Sequence, residues 1–447
     1  MNAILTSTLR SFNRLLTNIK GLNMELSQKE IEEIRNYKPL DEDKYIINYL
    51  SDTDIYKVSM TQCLLHKRPN EWAKWKWKLR SKDVHLGYLV DAVNREVDHL
   101  CTLRWQPFEL NALSKIYYIK PDYVDWLEDF RLKRKYIKIT RRGDDLEIEA
   151  EGPQLKVTWF EIYVMEIIQE LYLRQFEFDF EKAKQNLKEA VDKFNAAIDS
   201  GLKFGFADFG ARRRHSFAWQ DYAVGYMAKH CKCFVGTSNL YFAIKYGVKA
   251  IGTFAHEMYA LFQGLDDVPI RQSQKAVFDV WTQEYRGDLG ISLSDNFGFI
   301  PFLRDFDKFY AKLFDGCRHD SGDPFVWGEM LIAHYKALGI DPTTKTGCWS
   351  DSLDVDKAIK IAQHFNGRIK ISFGIGTYFM ANLVTATAGI KPLSMVMKVV
   401  KVNGKDVVKL SDCPEKNMCE SPTYVDYVKQ VFDYIPLDQW KGSMTVI

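Results

Sequence analysis

The sequence predicts an α/β protein whose larger part is an irregular barrel of parallel strands. From about residue 204 onward, short strand-like runs alternate with amphipathic helices, which is the pattern of repeated β/α units. With this many units, a barrel is the expected arrangement. The first 200 residues mix helical and strand-like patterns. A chain of 447 residues that is 46% hydrophobic is long enough for two or three domains.

The expected domains are an N-terminal extension, an α+β domain, the barrel and a C-terminal segment returning to the α+β domain, at residues 1–24, 25–200, 201–392 and 393–447. The extension carries Arg10, Arg14 and Lys20 and no acidic residue, which resembles a targeting presequence. We favour a plainer interpretation, a short extension or a start placed too early, since Met24 could begin the chain.

Outside the barrel, three elements are well marked. Residues 135–140 and 146–150 flank a turn with glycine and aspartate and predict a β-hairpin. Apolar residues at helical spacing predict a helix over residues 178–201. Residues 394–402 and 406–410, joined by an Asn-Gly turn, predict a second hairpin that could fold back onto the N-terminal part.

The predicted barrel strands are residues 204–209, 233–235, 250–253, 290–292, 314–317, 346–349 and 369–373. The helix after the fifth of these strands has clear boundaries, because Asp323 can cap it, Pro324 suits its first turn and Gly339 ends it. The next helix is predicted to end in the same way, at Asn366 and Gly367.

Composition excludes several classes of function. The net charge is only +2, from 61 basic and 59 acidic residues, so a general affinity for nucleic acid is not expected. No apolar run reaches the roughly 18 residues that a membrane span needs. The eight cysteines lack paired C-x-x-C spacing. Cys231 and Cys233 would share one face of a strand, a weak metal signal, and reduced thiols in a cytoplasmic protein are the favoured interpretation.

Polar clusters follow the predicted strands, and the carboxyl ends of barrel strands meet at one face. In residues 208–215, three consecutive arginines suggest an anion site, because guanidinium groups bind phosphate in a bidentate fork. A solvated basic loop is the alternative. Residues 236–239 open a helix and could bind phosphate through amides and hydroxyls, although taken alone an ordinary helix cap is the favoured interpretation.

The remaining clusters add a histidine, carboxylates and glycines. His256 follows a strand and can be a nucleophile, a base or a ligand, but a zinc-protease motif fails because Ala260 stands where a second histidine is required. Residues 318–324 could hold Mg²⁺, a sugar diol or an anion, or form a polar turn. A capped helix start is the simplest interpretation of residues 350–354. The G-x-G in residues 372–377 can bring amides to a phosphate, whereas Phe379 excludes a Rossmann fingerprint. Together the clusters predict a phosphorylated sugar ligand with a second anionic part.

These segments, in this order, resemble bacterial-type nicotinate phosphoribosyltransferases over nearly all of the chain after residue 48. The matching stretches are residues 51–57 with Met60 and Gln62, 208–214, 235–239, 252–257, 303–306, 318–324 with 327–329, 339–342 and 372–377. The resemblance implies a type II phosphoribosyltransferase fold, in which an irregular barrel packs against an α+β domain made from both chain ends. It also implies a homodimer with active sites at the subunit interface.

The resemblance further implies transfer of phosphoribose from phosphoribosyl pyrophosphate to nicotinate, with ATP hydrolysed alongside and the product used for NAD synthesis. His256 would take the ATP γ-phosphoryl group, Tyr56 would stack on nicotinate, and Thr253 and Arg318 would contact nicotinate. Phosphate, pyrophosphate and ribose would be held by Arg212, Asp320, Ser350, Asp351, Gly374, Gly376 and Thr377. Mg²⁺ and Arg212 would neutralise the charge that develops on leaving pyrophosphate.

The sequence departs from the family pattern at a few positions. His215 and Met258 stand where phenylalanine and tryptophan are usual, and residues 347–352 are altered. His215 is a rival histidine, but it is expected to begin a helix. Three alternatives remain: a nicotinamide-using relative, another phosphate-binding barrel enzyme such as an aldolase or isomerase, and a non-catalytic nucleotide-binding or scaffold protein.

Overall fold

The computed structural model describes residues 45–412, 418–442 and 444. The extension predicted at residues 1–24 lies outside the described residues. Among the described residues, no helix combines the length and the apolar character needed to cross a membrane.

The helices, in chain order, are α1 Ile55–Lys67, α2 Val90–Leu100, α3 Pro107–Leu113, α4 Pro121–Glu128, α5 Gln154–Val157, α6 Phe160–Leu173, α7 Phe180–Asp199, α8 Phe217–His230, α9 Leu240–Tyr246, α10 His256–Gln263, α11 Ser273–Tyr285, α12 Phe299–Asp305, α13 Lys308–Leu313, α14 Pro324–Ala337, α15 Val355–Phe365, α16 Leu383–Thr385 and α17 Pro422–Val431. The strands are β1 Trp72–Leu79, β2 Ile137–Arg142, β3 Asp145–Pro153, β4 Gly205–Asp208, β5 Phe234–Thr237, β6 Lys249–Ala250, β7 Ile291–Leu293, β8 Gly316–His319, β9 Thr346–Trp349, β10 Lys370–Ile375, β11 Met395–Val402 and β12 Lys405–Asp406.

The predicted barrel is a curled sheet of seven parallel strands in the order β6-β5-β4-β10-β9-β8-β7. Each predicted strand region contains or overlaps one of these strands, so the irregular α/β barrel is confirmed. β6 and β7 are the two edges of the sheet. Between them, the Thr253 hydroxyl donates to the Ile291 carbonyl at 2.7 Å, which joins the segment after β6 to β7.

A second, antiparallel sheet has the order β12-β11-β1-β3-β2. β11, from the C-terminal part of the chain, pairs along its length with β1 from the N-terminal part, for example Trp75 with Val399 and Trp77 with Met397. The α+β unit is therefore built from distant parts of the chain, as predicted. Its second hairpin turns at Asn403 and Gly404, whose φ angles of 50° and 82° suit an Asn-Gly turn.

The capping residues act as the sequence predicts. Asp323 accepts hydrogen bonds from the amides of Phe325 and Val326 at 2.8 and 2.9 Å at the start of α14. Asp354 caps α15, so the preceding residues at 350–353 lie in a loop. The expected pair of cysteines on one strand face is wrong, because β5 begins at Phe234; Cys231 and Cys233 precede it, with their sulfurs 3.6 Å apart.

One continuous apolar core joins the barrel, its helices and the inner face of the antiparallel sheet. A second, smaller cluster consists of Phe297, Val408, Leu410, Val428 and Phe432. It packs the segment after β12 against α17 and the loop after β7, with the Phe297 and Phe432 rings stacked at 3.8 Å. This small cluster fixes the chain beside the carboxyl end of β7.

Candidate active site

A cavity of about 760 Å³ lies between the carboxyl ends of the barrel strands and the antiparallel sheet. The barrel loops contribute Phe209, Arg212, Arg213, His256, Arg318, Asp320, Ser350, Asp351, Gly374, Gly376 and Thr377. The α+β unit contributes Trp75, Arg80, Glu161, Met165, residues 395–399 and Lys409. Most of the predicted site residues thus lie around one cavity, and Tyr56 and Thr253 do not line it.

The three consecutive arginines have different surroundings. Arg214 is fully buried and forms a bidentate ion pair with Asp52, at 2.6 and 2.8 Å, with Glu166 at 3.6 Å. It is therefore a core residue. Arg212 and Arg213 line the cavity, so this segment is not a solvated basic loop.

Cations from both structural units surround the cavity. Arg212 lies 3.6 Å from Glu161 and 3.9 Å from Asp54. Burial, together with Arg212 and Arg80, lowers the pKa of Arg213 to about 10. Burial, together with Lys409 and Arg80, lowers the pKa of Lys398 to about 7. Like charges held this close are expected to favour a polyanionic ligand.

His256 is the first residue of α10 and lies against two carboxylates. Its Nε2 is 2.7 Å from Oδ1 of Asp295 and 3.7 Å from Oδ2 of Asp320. Because a carboxylate accepts hydrogen bonds, Nε2 carries the proton and Nδ1 keeps the lone pair. Burial and Lys409 lower the pKa of His256. The lowered pKa favours the neutral imidazole, the form with a free lone pair.

The two aspartates are held in the ionised form by cations. Lys409 Nζ lies 3.0 Å from Asp295 and 3.2 Å from Asp320, and Arg318 Nη2 lies 3.0 Å from Asp320. Although burial alone would raise it, the pKa of Asp320 is lowered by Lys409 and Arg318. Arg318 also donates to Ser350 Oγ at 2.8 Å. These contacts fix Arg318, Asp320 and Ser350 as one unit.

The glycines after β10 allow two loops to approach closely. A Cβ at Gly374 would lie 2.2 Å from the Phe209 ring, and one at Gly376 would lie 2.5 Å from the Phe209 carbonyl oxygen. Both glycines, and Thr377, also line the cavity. Glycine here thus lets the turn pack against the loop that carries Arg212.

Several residues singled out in the sequence lie elsewhere. Tyr56 is buried, with 7% of its surface exposed. The Thr253 hydroxyl is committed to Ile291, and its carbonyl accepts from Ser59 at 2.6 Å. His215 packs edge-on to Phe178 at 4.7 Å, and burial lowers its pKa to about 4. It precedes α8 rather than beginning it.

The cluster at residues 236–239 is structural. Thr237 donates to Asp208 at 2.8 Å, Ser238 donates to Asp54 at 2.5 Å, and Asn239 both caps α9 and donates to Asp52 at 2.7 Å. These buried side chains tie the segment at residues 51–54 to the barrel. Of the two interpretations of this segment, the structure shows the helix cap, and these side chains are committed to other partners rather than to the cavity.

Sequence reasoning missed three charged groups of the site. Asp295 follows β7, so the rule that polar residues after barrel strands form the site could have found it. Lys398 and Lys409 come from β11 and from the segment after β12. No local signal marks these lysines, because their place in the cavity lining depends on the return of the C-terminal part.

The curled parallel sheet and the cation-lined cavity at its strand ends define an α/β-barrel protein with a cationic site. The chain matches the nicotinate phosphoribosyltransferase (NAPRTase) family over residues 204–435 and that family's N-terminal domain over residues 51–169. It belongs to the nicotinate phosphoribosyltransferase family.

Individual relatives agree along most of the chain. A nicotinate phosphoribosyltransferase of Chromobacterium violaceum is 44% identical over 397 residues, covering 87% of this chain and 97% of the relative. The crystal structure of nicotinate phosphoribosyltransferase from Vibrio cholerae has a TM-score of 0.83 at 35% identity, covering 88% of this chain and 95% of the other. The Porphyromonas gingivalis enzyme gives 0.80 at 29% identity, covering 87% and 100%.

Proposed function

We propose that this chain joins nicotinate to phosphoribosyl pyrophosphate, giving nicotinate mononucleotide and pyrophosphate for NAD synthesis, and couples the reaction to ATP through a phosphohistidine. Family membership supports the transfer reaction. The observation that carries the ATP coupling is His256, whose Nε2 is bound by Asp295 inside a cavity rich in cations.

The phosphoribosyl pyrophosphate site is proposed on the barrel side of the cavity. The turn with Gly374, Gly376 and Thr377 offers backbone amides to a phosphate. Arg212 and Arg213 offer guanidinium groups to pyrophosphate. Asp320, Ser350 and Asp351 offer acceptors to the ribose hydroxyls. Substrate and leaving group are both anionic, so the cations stabilise the charge that develops as pyrophosphate departs.

Because the proton of His256 lies on Nε2, Nδ1 is the atom that can accept the phosphoryl group of ATP. The Nδ1 lone pair of His256 attacks the ATP γ-phosphorus, the bond to the bridging oxygen breaks, and ADP leaves with the electron pair. The Nε2 proton stays on the hydrogen bond to Asp295, which stabilises the positive charge on the ring. Water later attacks the phosphorus, and Nδ1 departs with its pair to restore the neutral imidazole.

Mg²⁺ is proposed to arrive with the polyphosphate substrates. His256, Asp295 and Asp320 place ligand-type atoms within 4.8 Å of one another. However, Lys409 lies within 3.2 Å of both carboxylates, and His256 bonds to one of them. The ammonium group of Lys409 already occupies the position of a cation between these carboxylates, so the cluster does not fit a protein-bound Mg²⁺.

The nicotinate contacts are proposed from the family motif. Arg318 borders the cavity and can pair with the nicotinate carboxylate, which favours the acid over nicotinamide. Tyr56 is buried, so contact with nicotinate would require it to become exposed, and Thr253 is half-buried outside the lining of the cavity. The homodimer with interface sites and the cytoplasmic location also stand as proposals.

A product assay tests the function. The purified chain would be given phosphoribosyl pyrophosphate with nicotinate or nicotinamide, with and without ATP, and mononucleotide, pyrophosphate and ADP would be quantified. We expect nicotinate mononucleotide and pyrophosphate, faster with ATP, with ADP formed alongside. Equal rates with nicotinamide and with nicotinate would favour the alternative function, that of a nicotinamide-using enzyme. The absence of pyrophosphate would refute phosphoribosyl transfer.

A further inference from the structure

Lys409 occupies an unusual position beside the proposed phosphate acceptor. Its side chain is 8% exposed, and its Nζ bridges Asp295 and Asp320 at 3.0 and 3.2 Å. Both aspartates face the same nitrogen of His256. Lys409 touches the two carboxylates that flank the imidazole, and it can therefore act on His256 through them.

The backbone around Lys409 is fixed on both sides. Val408 and Leu410 are buried in the small apolar cluster with Phe297. The Val408 amide donates to Gln263 at 3.0 Å, and the Gln263 amide donates back to the Val408 carbonyl at 2.7 Å. Gln263 ends the helix that begins at His256. The Leu410 amide donates to the Asn296 carbonyl at 2.8 Å, next to Asp295.

The charges around His256 would favour an imidazolium if this lysine were absent. Two carboxylates within 3.7 Å of Nε2 stabilise a positive ring. Other charged groups that face the site are Arg318, which pairs with Asp320, and Lys398 and Arg212 from opposite walls, with Arg80 near Lys398. Asp412 lies beyond Ser321 from Asp295, and burial together with Asp295 raises the pKa of its carboxyl to about 8. Glu257, next in the chain, pairs with buried Lys57 and so does not add a free negative charge.

We propose that Lys409 is a positioning residue that keeps His256 neutral while its carboxylate partner stays ionised, so that the free ring nitrogen can accept a phosphoryl group. This inference rests on the proposed phosphohistidine. Asp295 can then orient the ring without converting it to an imidazolium, which has no lone pair for attack. Burial lowers the pKa of His256 and Lys409 lowers it further, whereas the two aspartates raise it.

The sign of the effect is definite. Removing the lysine charge raises the pKa of His256, so the ring becomes protonated over a pH range in which the normal ring is neutral. Phosphoryl transfer should then fall on the acid side and recover at high pH. Each unit by which the pKa rises costs about tenfold in the neutral form well below that pKa.

The test compares Lys409→Met, which removes the charge, with Lys409→Arg, which keeps it. Lys405→Met is a matched control on the same segment, since Lys405 is half exposed and pairs with Asp266 on the surface. The initial rate of ³²P transfer from γ-labelled ATP would be measured from pH 5.5 to 9.5. We expect the acid limb of Lys409→Met to move up by about one pH unit, with about tenfold loss at the acid end. Lys409→Arg keeps the positive charge and should keep the midpoint of the wild-type acid limb, whereas Lys405→Met should keep the whole wild-type profile.

A second readout does not depend on phosphorylation. Titration of ¹⁵N-histidine-labelled protein by NMR follows the His256 ring directly, with His256→Gln identifying its resonance. A raised His256 pKa in Lys409→Met supports the role of Lys409, whether or not ATP transfers phosphate to the protein. A lack of phosphate transfer would instead refute the proposed phosphohistidine. An unchanged His256 titration in folded Lys409→Met, or equal loss of rate at every pH, would overturn the role of Lys409.

Discussion

Neighbouring residues of one type can serve different purposes, and their partners decide which. Arg212 and Arg213 border the cavity, while Arg214 makes a bidentate pair with Asp52 and is fully buried. The guanidinium of Arg214 also lies over the Phe217 ring at 5.3 Å. Sequence reasoning identified the cluster but could not sort its members, because Asp52 lies 162 positions away.

Removing Arg214 should damage the fold. In Arg214→Met, Asp52 would be left as an uncompensated buried charge, so we expect a loss of about 3–5 kcal/mol in the free energy of unfolding. Urea denaturation would measure it. The matched change Arg304→Met affects a partly exposed arginine 3.5 Å from Asp433 and should cost no more than about 1 kcal/mol. Similar losses in both variants would argue against a structural role for Arg214.

A second prediction concerns the hydrogen bond from His256 to Asp295. In Asp295→Asn the amide no longer fixes the ring tautomer or stabilises the charged ring, so phosphoryl transfer from ATP should fall at least about 100-fold. Stopped reactions with γ-labelled ATP would measure the rate. Asp356→Asn, on an exposed aspartate that pairs with Lys193, is the control and should match the wild type. A wild-type rate in Asp295→Asn would remove Asp295 from the mechanism.

At the scale of elements, local signals located most of the strands and caps. Asp323, Pro324 and Gly339 bound α14 where their chemistry places them. The Asn-Gly turn defined the second hairpin for the same reason. Asp295 escaped notice because the polar segment after β7, residues 294–296, resembles an ordinary loop. The strand itself was predicted at residues 290–292, so the position of this loop at the end of a barrel strand was the signal that could have marked it.

The bridge between β6 and β7 can be tested at Thr253. In Thr253→Val the Ile291 carbonyl loses its hydroxyl donor at the sheet edge, and we expect a loss of about 1–3 kcal/mol in stability. Thr253→Ser keeps the hydroxyl and should lose less. Thermal unfolding and the KM for nicotinate would be measured together. A raised KM with unchanged stability in Thr253→Val would instead favour direct contact with nicotinate.

At the scale of the whole molecule, the site depends on the meeting of two structural units. The barrel supplies His256, Asp320 and the glycine turn, while the strand that returns to the N-terminal part supplies Lys398, with Lys409 just beyond the hairpin. The barrel face could be predicted from the chain, because every β/α unit ends at it. The return of the C-terminal hairpin to the N-terminal part was predicted, but the residues that it brings to the opposite wall were not, because they depend on the register between β1 and β11, more than 300 residues apart.

Both walls of the cavity come from one chain, which predicts the outcome of mixing two impaired variants. His256→Ala and Lys398→Ala would be mixed under conditions that exchange any subunits, and ATP-dependent product formation would be assayed. If each chain builds its own cavity, the mixture should show no more activity than the separate variants. Restoration toward a quarter of wild-type activity would show that His256 and Lys398 meet across an interface.

The most direct test of the central claim is the position of the phosphoryl group after reaction with ATP. Phosphorylated protein would be digested under alkaline conditions, the peptide identified by mass spectrometry, and the bonded ring nitrogen assigned by ³¹P NMR. The hydrogen bond from Nε2 to Asp295 predicts phosphate on Nδ1 of His256. Phosphate on Nε2, on another residue or on no residue, in protein that forms nicotinate mononucleotide, would contradict it.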